Sequence, residues 1–179
     1  MKLKTWKSNY KVIYADPPWH FKSYSPKGDG RNANQHYSCM SITDICNLRV
    51  SDLAADDCVL LMWCVDPMLP EALEVIKAWG FKYKTVGFTW AKTNKTKPGF
   101  FTGLGYWTRG NPEMCLLATK GKPKRLNKSI PQLVVEQRQE HSRKPDIVYN
   151  HIEKMLEGPY MELFARRKRE GWNSWGNEV

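Results

Sequence analysis

The chain has 179 residues, with 28 Lys and Arg against 18 Asp and Glu and a net charge of +10. A hydrophobic share of 41% with 12% aromatics can bury a core, which excludes a wholly disordered chain, and the length suits one domain. No run of about 18 apolar residues is present, so no transmembrane helix is expected, and the basic excess favours a polyanionic partner.

The first apolar run, Val12-Ile13-Tyr14-Ala15, stops at Asp16-Pro17-Pro18. It predicts a buried strand ending in a rigid turn. Residues 20–40 are polar and rich in turn formers, which predicts a long mobile loop. Ser41 to Leu53 predicts a short helix, and Cys58 to Trp63 a second buried strand. Leu69, Leu73, Ile76 and Trp79 fall near helical spacing, and Gly80 is the expected stop. Tyr83 to Trp90 predicts a third strand, 92–112 a polar loop, and Met114 to Ala118 a fourth strand. A basic loop with Pro123 follows over 120–128. Pro145 to Leu156 predicts a helix, Tyr160 to Ala165 the last strand, and Arg166 to Val179 a basic tail. Trp172 and Trp175 are expected to pack that tail on the core.

Strands alternating with helices predict an α/β fold, a mostly parallel sheet flanked by helices. No repeat or linker divides residues 1–179, so one domain is expected. Ligands in such folds sit at the carboxyl ends of the strands. The polar segments 16–40, 91–112 and 166–178 all follow strands and are expected to converge there. The five cysteines have no CxxC spacing and the four histidines are scattered, so neither a disulfide framework nor a metal is expected. The N-terminus lacks the apolar run of a signal peptide, and a reducing cytoplasm is the expected location.

Asp16-Pro17-Pro18-Trp19, directly after an apolar strand, carries the chemistry. An exocyclic base amine is a poor nucleophile because its lone pair is delocalised into the ring. A carboxylate and a backbone carbonyl that accept its N–H bonds favour a more tetrahedral nitrogen. Asp16 supplies the carboxylate, and Pro17 and Pro18 stiffen the turn and leave carbonyls free. Trp19 offers a flat face for a flipped-out base. The competing reading is a strand-terminating turn with a structural Trp.

With that motif in place, the chain resembles the MT-A70 family of N6-adenine methyltransferases, most closely its small bacterial and phage members. The resemblance runs from about residue 11 to residue 179. It includes Tyr37-Ser38-Cys39-Met40-Ser41, Leu60-Leu61-Met62-Trp63, Trp90-Ala91-Lys92-Thr93-Asn94 and Gly105-Tyr106-Trp107. It continues through His141 to Asp146, Glu162 to Arg166 and Trp175 to Glu178. The order of these segments together with DPPW makes the match specific.

The resemblance implies a Rossmann-like fold that uses S-adenosylmethionine, with the catalytic motif first and the cofactor strand, Tyr160 to Ala165, last. That order explains why no GxG loop follows the first strand. It implies that Asp16 touches both the target amine and the methionine end of the cofactor. It maps Ser142 to Asp146 onto a loop that places Lys144 at the methionine carboxylate. It puts Glu162, Phe164 and Arg166 around the cofactor, and Asn177 and Glu178 on its ribose hydroxyls.

A Gly99-to-Gly105 run tempts a phosphate-loop reading, but no Gly-Lys-Ser/Thr follows. A substrate loop fits better, with Tyr106, Trp107 and Arg109 as base or backbone contacts and Lys92, Lys95 and Lys97 as phosphate contacts. Lys22, Tyr24 and Tyr37 are expected to play the same part in the first loop. The expected activity is methylation of adenine N6 in DNA in a bacterial or phage-infected cell. RNA adenine, cytosine N4, and a non-catalytic nucleic-acid-binding partner subunit remain open, as does a homodimer.

Overall fold

The computed structural model describes residues 9–20, 40–139 and 143–179. Its strands are β1 (Tyr10–Ala15), β2 (Ala54–Cys64), β3 (Lys82–Thr93), β4 (Glu113–Lys120), β5 (Leu133–Gln137), β6 (Tyr160–Leu163) and β7 (Trp172–Trp175). They form one sheet in the order β5-β3-β4-β2-β1-β6-β7. β4 runs antiparallel to both of its neighbours, β2 and β3, and every other pairing is parallel. The mostly parallel sheet expected from sequence is present, with one reversed strand inside it.

Three α-helices flank the sheet among the described residues: α1 (Ile42–Cys46), α2 (Leu69–Ala78) and α3 (Ile147–Met155). Ser41 caps α1, its hydroxyl accepting from the Asp44 N–H at 3.0 Å. α1 is shorter than the helix expected over 41–53, because the chain turns again into a 3-10 segment at Val50–Asp52. α2 buries Ala72, Val75 and Ile76, and Gly80 ends it with φ +81°. The indole N–H of Trp79 donates to the Ile45 carbonyl at 2.8 Å and ties α2 to α1.

The strand alternation divides the core between two faces. Ile13 and Ala15 of β1 join Leu60 and Met62 of β2 beneath α1 and α2. Val12 and Tyr14 join Leu61, Trp63, Phe88 and Trp90 beneath Val148 and Ile152 of α3. Because both faces are covered, β1 and β2 read as continuous apolar runs rather than alternating ones.

Two strands depart from the sequence reading. β5 was not expected, because only Val134 of its five residues is buried and an edge strand carries little apolar pattern. β7 was not expected either, since it lies within the basic tail. Trp172 and Trp175 are buried as expected, and they are packed there as β-strand residues paired with β6. No helix among the described residues is long and apolar enough to cross a membrane.

Strand direction positions the site. The carboxyl ends of β1, β2, β3, β5, β6 and β7 share one edge of the sheet with the start of the reversed β4. Asp16, Asn94, Arg138, Phe164 and Gly176 therefore leave the sheet at the edge where Glu113 enters it.

Candidate active site

Asp16 is the first residue beyond the interior strand β1, which lies between β2 and β6. One of its carboxylate oxygens accepts from Lys144 Nζ at 2.8 Å. Lys144 also lies 3.3 Å from Glu113, which in turn holds Lys92 at 2.6 Å. Asp16, Lys144, Glu113 and Lys92 thus form an alternating row of charges along the sheet edge. The Lys144 side chain is 8% exposed and that of Asp16 25%, so the opening of the row lies at Asp16.

Burial alone would push the Lys144 ammonium toward its neutral form, but Asp16 and Glu113 outweigh it and raise its pKa. Burial likewise opposes ionisation of Glu113. Lys144 and Lys92 overcome that and hold the carboxyl below the usual carboxylate range. A buried charge is tolerated when it is paired in this way.

Trp63 forms the floor of the row. The Lys144 ammonium lies 5.5 Å from the centre of its ring, within cation–π range. The indole N–H of Trp63 donates to Tyr14 Oη at 2.6 Å, and its carbonyl accepts from the Trp19 indole at 3.0 Å. The Trp63 ring, held by Tyr14, therefore lies beneath the ammonium, and its main chain is held from the opposite face of the sheet by Trp19.

Trp19 differs from the sequence expectation. It is 5% exposed and belongs to the core, so it does not present a face on which a base could stack. The proline carbonyls differ as well. That of Pro17 accepts from the Trp19 N–H at 2.8 Å, and that of Pro18 from the Met40 N–H at 3.2 Å. The turn is rigid, as Pro-Pro predicts, but its carbonyls already hold partners within the chain. The ring packs in the core on the face covered by α1 and α2, with its N–H satisfied by the Trp63 carbonyl.

Glu162 lies on β6 beside β1, paired in register with Tyr14. Its Oε1 accepts from Tyr149 Oη at 2.7 Å, and its Oε2 is buried with no hydrogen-bond partner among the described residues. Burial pushes this carboxyl up to about 7, against the Tyr149 bond, which lowers it, and with Asp16, which raises it. Phe164, two residues on, has φ +62°, uncommon for a non-glycine residue. Its ring meets Trp175 edge-on at 5.4 Å. At Gly176 a Cβ would collide with the backbone of Ala165, so only glycine lets the turn after β7 close on the turn after β6. Asn177 and Glu178 follow it, both exposed.

A match to the MT-A70 family model spans residues 10–178. The chain belongs to the MT-A70 family. It is 32% identical over 97% of its length to the Type II methyltransferase M.MunI of Mycoplasma sp, covering 79% of that protein. It is 31% identical to an Arabidopsis thaliana N(6)-adenosine-methyltransferase MT-A70-like protein, and 27% identical to the human N(6)-adenosine-methyltransferase catalytic subunit METTL3. Of those two it spans 23% and 28%. An MT-A70 chain is a methyltransferase, and the family in general uses S-adenosylmethionine.

Of the residues expected from sequence, the structure places Asp16 and Lys144 together at the sheet edge and Glu162 within β6 beside β1, with Phe164, Arg166, Asn177 and Glu178 on the adjoining turns after β6 and β7. Ser142, Lys22, Tyr24 and Tyr37 lie outside the described residues. Lys92 differs from its expected role as a phosphate contact, because it turns inward to Glu113 and lies 5.3 Å from the Trp90 ring. Lys95, Lys97, Tyr106, Trp107 and Arg109 are exposed on the loop between β3 and β4. The first limb of that loop and Gln137 line a shallow, polar concavity of about 330 Å³.

The basic run after β6 is divided in its contacts. Arg167 bonds Asp146, and Arg169 bonds Glu153 at 3.0 Å and Asn150 at 2.9 Å. Both guanidinium groups also lie within 6 Å of the Tyr149 ring. They latch the tail to α3, behind Glu162. Glu113 was missed in the sequence reading. The available signal was a carboxylate bordering the apolar run Met114 to Ala118, which has to find a cation when the strand is buried.

Proposed function

We propose that this protein is an S-adenosylmethionine-dependent methyltransferase acting on the N6 amine of adenine in DNA. The observation that carries the reading is the partly open carboxylate of Asp16, held at 2.8 Å by Lys144 on the edge where the parallel strands end.

The residues present fit the cofactor by their chemistry. A methionine end carries one carboxylate and one ammonium, and Lys144 and Asp16 are the complementary charges. Glu162 Oε2 is a buried acceptor that a hydroxyl or ammonium donor would satisfy. Asn177 and Glu178 carry the amide and carboxylate that suit ribose hydroxyls. When bound, S-adenosylmethionine supplies an electrophilic sulfonium methyl.

Asp16 accepts a hydrogen bond from the adenine amine and draws its lone pair out of the ring. The amine is far too weak an acid to be deprotonated beforehand, so its proton would pass to solvent only after the N–C bond had formed and the bond from the methyl to sulfur had broken. Lys144 and Glu113 keep Asp16 oriented. The contribution of the protein is positioning and hydrogen-bond acceptance, with no covalent enzyme intermediate.

A net charge of +10 and the exposed Lys97 and Arg109 support a polyanionic substrate. The relative matched over most of its own length is a Type II methyltransferase, which supports DNA, and the relatives named for N(6)-adenosine support the N6 position. We place the whole chain in one catalytic domain. Nucleoside mass spectrometry of DNA and RNA treated with protein and S-adenosylmethionine tests the reading. N6-methyladenine in DNA is expected. Product confined to RNA, or N4-methylcytosine, would replace it.

A further inference from the structure

We propose that the loop between β3 and β4 is a stiff arm whose tip, Trp107, inserts into duplex DNA and fills the gap left by the base taken to Asp16. This rests on the reading of the protein as a DNA methyltransferase and adds how the duplex is opened.

The arm is built at its base by side-chain amides. Asn111 accepts from the Lys92 N–H at 2.9 Å and donates to the Lys92 carbonyl at 2.9 Å and to the Phe101 carbonyl. Asn94 donates to the carbonyls of Gly99 at 3.0 Å and Phe100 at 3.1 Å. The Arg138 guanidinium, beyond β5, lies 4.5 Å from the centre of the Phe101 ring. These contacts join the arm to β3 and β5, on the sheet edge that carries the charged row.

The neck is narrow because glycines let its two limbs touch. The Gly103 N–H donates to the Gly110 carbonyl at 2.7 Å. A Cβ at Gly103 would lie 3.0 Å from the Gly110 carbonyl oxygen, and one at Gly110 would lie 2.9 Å from that of Leu104. At Gly105 a Cβ would collide with the Thr108 carbonyl, so the tip closes only on glycine. Of the glycines that suggested a phosphate loop, Gly103 and Gly105 therefore serve close packing of backbone, and Gly99 supplies a turn at φ +97°.

At that tip Trp107 is 99% exposed, the full indole standing in solvent on a braced turn. Tyr106 beside it is half exposed. The backbone that carries this side chain is already braced, so binding has chiefly the rotamers of the indole left to order. Arg109 follows Trp107 on the return limb as an exposed cation suited to a phosphate, and Lys95 and Lys97 stand on the separate turn that Asn94 and Gly99 close at the base of the arm. An adenine inside a duplex must leave the stack to reach a carboxylate that is only 25% exposed, and it leaves a gap one base thick. Apolar wedges fill such gaps and hold the duplex open. A single strand presents no such gap, which sets the specific expectation.

The test compares wild type, Trp107→Ala and Trp107→Phe in labelled-methyl transfer on duplex and single-stranded DNA of one sequence. Binding to a duplex with and without an abasic site is measured in parallel. Trp107→Ala is expected to lose about 10- to 100-fold of its transfer to duplex and less than about 3-fold to single strands, with Trp107→Phe between. Wild type is expected to prefer the abasic duplex and Trp107→Ala to lose that preference. Equal losses on both substrates, no loss, or an unchanged abasic preference would overturn the wedge. So would a shift from dimer to monomer in Trp107→Ala by sedimentation, because the arm would then join two copies of the chain. If wild type methylates no DNA, the reading of the activity fails, and the abasic preference still decides the wedge.

Discussion

The charged row along the sheet edge and the arm above it solve opposite problems. At the row, Asp16, Lys144, Glu113 and Lys92 withdraw their charges from solvent and spend them on one another. On the arm, Trp107 stands clear of the protein, two residues before the exposed Arg109. The row has little freedom, because every charge in it is fixed by the next and by the aromatic floor beneath. The arm is rigid at its base and open at its tip. The contrast separates two kinds of evidence for function. A closed network of opposite charges argues for positioning, and an apolar ring left in water argues for a partner.

The largest effect that bears on this contrast is expected at Lys144. Lys144→Ala leaves two carboxylates facing each other, one of them largely buried. Such a change costs on the order of 3–5 kcal/mol. Chemical denaturation should show that loss, together with transfer below detection. A stability within about 0.5 kcal/mol of wild type would mean that the row is a surface network.

Trp19→Phe follows. It keeps a ring but removes the donor to the Trp63 carbonyl, and should cost about 1–3 kcal/mol. Activity per folded molecule should stay near wild type. Unchanged stability with a large loss of activity would restore Trp19 to the stacking role that the sequence suggested.

Glu113→Gln is smaller and more specific. It takes the row from balanced to one net positive charge. S-adenosylmethionine carries a sulfonium cation that S-adenosylhomocysteine lacks. Calorimetry should therefore show affinity for S-adenosylmethionine falling by roughly 10-fold, with less change for S-adenosylhomocysteine. Equal losses for both would confine Glu113 to holding Lys144.

The smallest effect concerns Glu162. Its carboxyl is raised from 4.5 to about 7, so the folded state binds more protons than the unfolded one between those values. The stability it contributes is full below about pH 4.5 and is lost as pH rises through about 7. Glu162→Gln keeps an acceptor for Tyr149 and should abolish that part of the decline. Thermal unfolding between pH 5 and pH 8 reads the difference, and a slope unchanged by the substitution contradicts it.

Most of the sheet was legible in the sequence, since strands buried on both faces carry dense apolar runs such as Cys58 to Trp63. β5 and β7 were not, because edge strands need less apolar surface and Trp172 to Trp175 sits among charges. Asp16, Lys144 and Glu162 were legible as a set through the order of their motifs. Glu113 was not, as it joins the row only when the reversed β4 brings its first residue to the ends of the parallel strands. The burial of Trp19 was not legible, because a tryptophan after a turn reads alike as a stacking face or as core until its packing on the α1 and α2 face is known. The reach of the arm was equally hidden, because glycine spacing alone does not tell a phosphate cradle from a tight neck.

The central claim is that the Asp16 edge transfers a methyl group to DNA. Labelled-methyl transfer from S-adenosylmethionine to duplex DNA, comparing wild type with Asp16→Ala at matched folded concentration, tests it most directly. Wild type should label the DNA and Asp16→Ala should fall by at least about 1,000-fold, the scale on which oriented acceptors and donors act in a transition state. An Asp16→Ala protein that turns over near the wild-type rate would contradict the account.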